Sequence, residues 1–281
     1  MQLKLIIRHV RNDILKLKVP RMLFNIYRLK RRFPQMKIYT YKALVQNIKK
    51  RNDVCHVIAT GHSAIDSYKA GVVQPGDYII GLNFAAFLPY TFDFYFFEHT
   101  FGTSDAHIAN TKALTGLLHK RKEHLPNLVY KNACRAFPDS MAKLIPGIKF
   151  SVVFDRIIYY PCTKKLFARP SFIMPQYGSS SITAIMLAYH AGFKNIVVHG
   201  LDFSGPHIYH DPELQEQTGV DAPKPYVSND VKHLTADGQE SILPELMLKF
   251  AEKNVNIFCA SPDSNFMKYA KLFHSWFPPE Q

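Results

Sequence analysis

The chain has 281 residues, 47% hydrophobic and 20% charged, the proportions of a soluble globular protein with a sizeable core. No apolar run approaches the ~18 residues that a membrane-spanning helix needs, and the first twenty residues carry charges throughout, unlike a secretory signal. The formal net charge of +13 sits in one place: residues 1–50 hold fourteen Lys and Arg against one acid, Asp13, and the other 231 residues balance.

The first elements belong to that basic segment. Leu3, Ile6, Ile7, Val10, Ile14 and Leu17 recur with helical spacing, and Pro20 ends the pattern. A second stripe, Met22, Ile26, Leu29 and Phe33, stops at Pro34. Basic amphipathic helices predict docking of residues 1–34 on an anionic membrane surface; a helical hairpin packed on the main domain is the other reading. No nucleic-acid-binding module accompanies the charge, so nucleic acid is not expected as a partner. Residues 1–50 are therefore read as a basic helical extension and residues 51–281 as the main domain.

From residue 53 short apolar runs alternate with helical stretches. Strands are predicted at Val54–Ala59, Tyr78–Asn83, Phe92–Phe97, Leu128–Tyr130, Asn195–Gly200 and Val255–Ala260. Helices are predicted at Ser181–Phe193, Ser241–Lys253 and Ser264–Trp276. This alternation predicts an α/β fold, a single Rossmann-like domain with a largely parallel sheet covered on both faces. Residues 103–171 show no clear pattern and have room for a small insertion. Residues 204–231 are polar and turn-rich, and read as an irregular functional lid. Cys55, Cys134, Cys162 and Cys259 are far apart, with no CxxC pair, and read as reduced thiols in a cytoplasmic protein.

In such a sheet ligands bind beyond the carboxyl ends of the strands. Thr60-Gly61-His62-Ser63 follows the first strand, as a turn that lets backbone approach a phosphate or ribose or as a tight structural turn. Asn83 follows the second, as a reader of a base or ribose or as a turn former. Glu98 or His99, after the third, would face the same crevice. Ser179, Ser180 and Ser181 open a helix, where serines cap or a phosphate binds. Gly200 and Asp202 end the Asn195–Gly200 strand; Asp202 would grip a ribose, order a loop or cap. His233 precedes a helix and has the side chain whose pKa suits proton transfer near neutrality. Asp93 stands alone, with no acidic pair to hold a metal-bound nucleotide diphosphate, so metal-independent chemistry is expected.

In this order the pieces resemble the bacterial lipooligosaccharide sialyltransferases of glycosyltransferase family 42. The best portion is SSSITAIMLAYHAGFKNIVVHGLDF, from Ser179 to Phe203, similar to the family's small-residue turn, helix and "GIDF" strand. Gly61-His62-Ser63 is similar to its "GNGPS" turn, and His233 falls in the region of its catalytic histidine. The resemblance implies a GT-A-like variant with a lid, and an inverting transfer without metal or cofactor. It implies a CMP-sialic acid donor and a glycan acceptor, lipooligosaccharide or capsule, at the inner face of the bacterial inner membrane. Carried over, Thr60, Gly61, Ser63, Asn83, Ser179, Ser180, Gly200 and Asp202 bind the CMP donor. Tyr209 donates to the leaving phosphate, and His233 is the general base. Glu98 stands where the family has Asn, Tyr177 where it has Arg, and Ser204 where it has a tyrosine. These departures leave the sugar open among sialic, legionaminic and pseudaminic acids and Kdo. An inactive glycan-assembly subunit, a transferase using UDP- or GDP-sugars, and a homo-oligomer remain open as well.

Overall fold

The computed structural model describes residues 27, 30–31, 34, 36–98, 105–132, 149–157, 162–176, 179–203, 205–221 and 242–273. The helices expected before Pro34 fall almost wholly outside these, and His99, Tyr177, Ser204 and His233 fall wholly outside.

The strands are β1 (Lys37–Tyr39), β2 (Val54–Ile58), β3 (Tyr78–Leu82), β4 (Phe94–Phe97) and β5 (Leu128–Asn132). Then come β6 (Ser151–Ile157), β7 (Met174–Gln176), β8 (Asn195–His199), β9 (Asn256–Cys259) and β10 (Lys271–Leu272). The α-helices are α1 (Tyr41–Gln46), α2 (Ser63–Lys69), α3 (Asp105–Lys120), α4 (Ser180–His190), α5 (Pro212–Thr218) and α6 (Leu243–Glu252). The sheet order is β1-β6-β5-β4-β3-β2-β8-β9-β10, with β7 also on β6. Every described strand pair is parallel. Within it β4-β3-β2-β8-β9-β10 is the Rossmann order, which reverses direction between β2 and β8.

Alternation along the strands feeds two cores. Val57, Ile80, Phe96, Val129 and Val198 face α4 and α6, packing on Ile185, Met186, Leu246 and Phe250. Ile58, Ile79, Tyr95, Phe97 and Tyr130 face the other way, onto Ile65 of α2 and Leu114, Leu117 and Leu118 of α3. Burying one such side chain contributes about 1.5–3 kcal/mol. Because parallel strands are covered on both faces, they read as continuous apolar runs, which is why the central strands show in the sequence.

Several expectations are corrected. Of the helix expected at 264–276, the described residues 264–273 are not helical: Ser264 caps a short 3-10 turn, Asn265–Lys268, and β10 follows. The apolar residues there serve the sheet edge, and β10 pairs β9. Residues 205–221 are not irregular. They form a 3-10 turn at Ile208–His210 and then α5, capped by the Asp211 side chain on Leu214 N at 3.0 Å and closed by Gly219 with φ 55°. Ile208, Leu214 and Val220 bury into the α2/α3-side core, so this part is anchored; residues 222–231 of the expected lid lie outside the described residues. The unreadable middle holds α3 and β6, and β6 extends the sheet. β1 and α1 join the main body although they precede residue 51, with Tyr41 and Leu44 in the core. Cys55 and Cys259 are free thiols and buried. No helix among the described residues is long and apolar enough to cross a membrane.

Candidate functional site

Where the strand order reverses, the segments after β2 and β8 border a cleft of about 210 Å³. Thr60, Gly61, Asn83, Ser179, Ser180, Gly200 and Asp202, all singled out from sequence, line it. Phe203, Pro206 and His207 complete one side.

The β2 and β8 turns meet without side chains between them. Gly61 N donates to Gly200 O at 2.8 Å. A Cβ on Gly61 would collide with the Asp202 carboxylate and lie 2.6 Å from Gly200 O, and one on Gly200 would lie 2.8 Å from Gly61 O. Gly200 also has φ 64°, a left-handed conformation that favours glycine. Both glycines are thus required by the close approach of the two backbones.

Asp202 orders loops, one of the readings open from sequence. Its Oδ1 accepts from Ser63 Oγ at 2.5 Å and Ser264 Oγ at 2.7 Å, and its Oδ2 from Ser63 N at 3.0 Å. Its backbone O accepts from Asn265 Nδ2 at 2.8 Å. Ser63 accordingly stands behind the cleft wall and ties the start of α2 to the end of β8.

Ser179 precedes α4 in extended geometry, yet its side chain makes no capping bond. Thr40, Asp211 and Ser264, at the starts of other helical elements, do make one. Thr183 N bonds Ser179 O at 3.1 Å, so the N–H groups of Ser180, Ser181 and Ile182 precede the first intrahelical bond. Among the described residues, an eleven-residue helix therefore presents uncapped donors and the positive end of its dipole where Ser179–Ser181 line the cleft.

Behind Ser180 lies a polar cluster that sequence reasoning only half found. Glu98 follows β4, and Lys131, buried with its side chain 1% exposed, belongs to β5. Lys131 Nζ reaches Glu98 Oε2 at 2.9 Å and donates to Ser180 Oγ at 3.0 Å. Ser180 Oγ in turn donates to Glu98 Oε1. Asn83, at φ 46°, receives Glu98 N on its Oδ1 at 2.9 Å and donates to Glu98 Oε1 at 3.4 Å. Burial pushes the Glu98 carboxyl up, but the Lys131 ammonium and the hydrogen bonds outweigh it and hold the pKa below the usual glutamate range. Lys131 gave no sequence signal, because one lysine in an apolar strand belongs to no motif.

His207 lies where the segment after β8 bridges back to the β2 turn, pairing with Gly61. Its Nδ1 meets Thr60 O at 3.2 Å; since a carbonyl only accepts, Nδ1 carries the hydrogen and Nε2 holds the lone pair. Burial lowers its pKa, and His210 adds to the lowering, against the Thr60 bond and Asp202, which raise it. Tyr209 does not line the cleft: its ring packs on Phe84 at 5.1 Å and stacks on His207 at 4.9 Å. Burial raises its pKa to about 12. Asp93 accepts from Arg51 at 2.6 Å and Ile79 N at 2.9 Å, as a tie between strands. No group of residues that would hold a metal occurs among the described residues.

No protein-family model and no curated protein matches this sequence. Solved structures do. The monofunctional alpha-2,3-sialyltransferase Cst-I from Campylobacter jejuni matches with TM-score 0.47 at 14% identity, over 81% of this chain and 82% of that one. The sialyltransferase CstII from Campylobacter jejuni in complex with a substrate analogue, CMP-3FNeuAc, matches with TM-score 0.44 at 12% identity, over 79% and 86%. At such low identity, function has to be read from the cleft itself.

Proposed function

We propose that this protein is a glycosyltransferase that moves a sugar from a CMP-activated donor to a hydroxyl of a glycan. The observation that carries this reading is the uncapped start of α4 opening into the cleft at the β2/β8 reversal. Free N–H donors and a helix dipole suit a phosphate, and the glycine turns let a nucleotide approach the backbone. The order of these pieces along the chain, from the Gly61 turn to Ser179–Phe203, supports CMP with a nonulosonic acid as its sugar.

In this reading the acceptor hydroxyl attacks the anomeric carbon, the bond to the phosphate oxygen breaks, and CMP leaves with the electron pair. A single displacement of this kind inverts the anomeric centre. Helix donors and hydroxyls stabilise the departing phosphate without a metal. The hydroxyl's proton passes to a base, the role proposed for His233. Residues 1–34 are proposed to hold the enzyme on anionic membrane, each Lys or Arg contributing ~1 kcal/mol near such a surface. Deleting them should release the protein from anionic vesicles, and a truncated protein that still sediments with vesicles would refute that role.

Calorimetry with CMP, UMP and GDP, with EDTA or with Mg²⁺, tests the donor. CMP should bind in EDTA and more tightly than the other two. Binding of UMP or GDP only with metal, and none of CMP, would overturn the reading. Release of CMP from CMP-sialic acid in the presence of a glycan acceptor is the corresponding activity test.

A further inference from the structure

An anion in this cleft meets an electrostatic difficulty. Among the described lining residues none is Lys or Arg, and Asp202 is itself an anion, although Ser63 and Ser264 cover its carboxylate. The nearby cation Lys131 is already paired with Glu98. A nucleotide phosphate brings a charge of about −1.5 to −2 at neutral pH. Moving such a charge out of water without a partner is costly. Of the described lining side chains, His207 alone can become positive.

The geometry of His207 fits that task. Thr60 O holds Nδ1–H, fixing the ring by one edge. Tyr209 stacks on one face at 4.9 Å. Among the described residues no polar group meets Nε2. The charged and titratable groups around the ring are Asp202 from the β8 loop, His210 on its own segment, Tyr209 against its face, and His62 at the start of α2, whose N donates to Pro206 O at 3.1 Å. Asp202 favours a charged ring and His210 opposes it. With the cleft empty, burial keeps the ring neutral, and an arriving phosphate reverses that balance.

We propose that His207 is a phosphate-binding residue of this cleft: it takes one proton from solvent onto Nε2 as a nucleotide phosphate enters, and as an imidazolium donates to it. No bond of the nucleotide changes in this step, and the proton returns to solvent on release. The inference rests on the reading of the cleft as a CMP site.

Calorimetry on the full chain at pH about 7.5, in buffers of different ionisation enthalpy, measures the protons taken up on binding. CMP should bind with uptake of about one proton, and its affinity should fall by up to about tenfold per pH unit above neutrality. Cytidine, which lacks the phosphate, should bind with no uptake. His207→Gln should abolish the uptake and flatten the pH dependence, whereas His210→Gln should keep both. Nitrogen-15 spectra of the unmutated protein, with and without CMP, should show one histidine ring passing from the Nδ1–H form to the doubly protonated form. They serve as the readout if His207→Gln fails to fold. Binding of CMP without uptake, or uptake that survives in His207→Gln, would overturn the proposal. No binding of CMP at all would overturn the CMP reading itself, and the role of His207 with it.

Discussion

Two histidine settings on either side of Gly200 differ in one respect. His199, at the end of β8, is buried, with Nε2 against His56 Nδ1 at 2.8 Å and Nδ1 against Ser67 Oγ at 2.7 Å. His56 Nε2 continues to Asp77 Oδ2 at 2.9 Å, and Asp77 also receives Gln74 N and Asn52 Nδ2, each at 2.9 Å. Every ring nitrogen of this chain has a partner, and the chain joins β2, β8, α2 and the approach to β3. His207 has one nitrogen held and, among the described residues, the other open. A buried polar network that is fully satisfied fixes structure, whereas a half-satisfied group at a cleft is available to a ligand. The same contrast separates Asp202, covered by two serine hydroxyls, from the uncapped start of α4.

The contrast can be broken or sharpened by substitution. The largest effect is expected at a third histidine: His233→Ala should lower kcat by about 10²- to 10⁴-fold, the usual contribution of a positioned base, with CMP affinity near normal. Steady-state kinetics beside CMP calorimetry checks it; a transfer rate close to that of the unmutated protein would remove His233 from the proposed chemistry.

Next comes the saturated network. Asp77→Ala leaves His56 without its carboxylate in the core, and should cost about 3 kcal/mol of stability in urea unfolding. A loss under half of that would mean that the chain tolerates an open end.

Lys131→Met should cost less, about 2 kcal/mol, because the Glu98 side chain left behind is a third exposed and water screens it. The pH dependence carries a sign. In the unmutated protein the folded Glu98 pKa is depressed, so its contribution is present above the unfolded value of about 4.3 and is lost as pH falls through the lower folded value. Without Lys131, burial should dominate and raise that pKa, so protonating Glu98 relieves the variant. The stability gap should therefore narrow on acidification; a gap constant from neutral pH to pH about 4 would show that the pair is not what lowers Glu98.

The smallest effects separate the helix starts. Asp211→Ala removes a capping bond and should cost about 1 kcal/mol. Ser179→Ala removes none, and should change stability by less than about 0.5 kcal/mol while leaving the backbone donors of α4 in place. Equal losses in thermal unfolding would mean that Ser179 caps after all.

The strands at the centre of the sheet were legible because they are buried on both faces and read as apolar runs. The Gly61 and Gly200 turns were legible because close backbone approach excludes any side chain. β1, β7 and β10 were not, because such short strands need only two or three residues in register, and their pairing is decided by neighbours distant in sequence. Likewise Ser264, a helix start by local pattern, became a hydroxyl on Asp202 because the two chain segments meet there.

The sequence alone determined the parallel α/β plan, the concentration of charge in residues 1–50, and most of the residues around the cleft, since periodicity, composition and turn chemistry are local properties. Which of those residues are spent on one another was decided only by the tertiary structure. Asp202 is taken by Ser63 and Ser264, Asn83 and Ser180 by Glu98 and Lys131, while among the described residues nothing takes the start of α4 or Nε2 of His207. The physical reason is that a hydrogen bond depends on distance and direction between groups far apart in the chain, 139 residues for Ser63 and Asp202, and no local pattern records whether a donor has already met its acceptor.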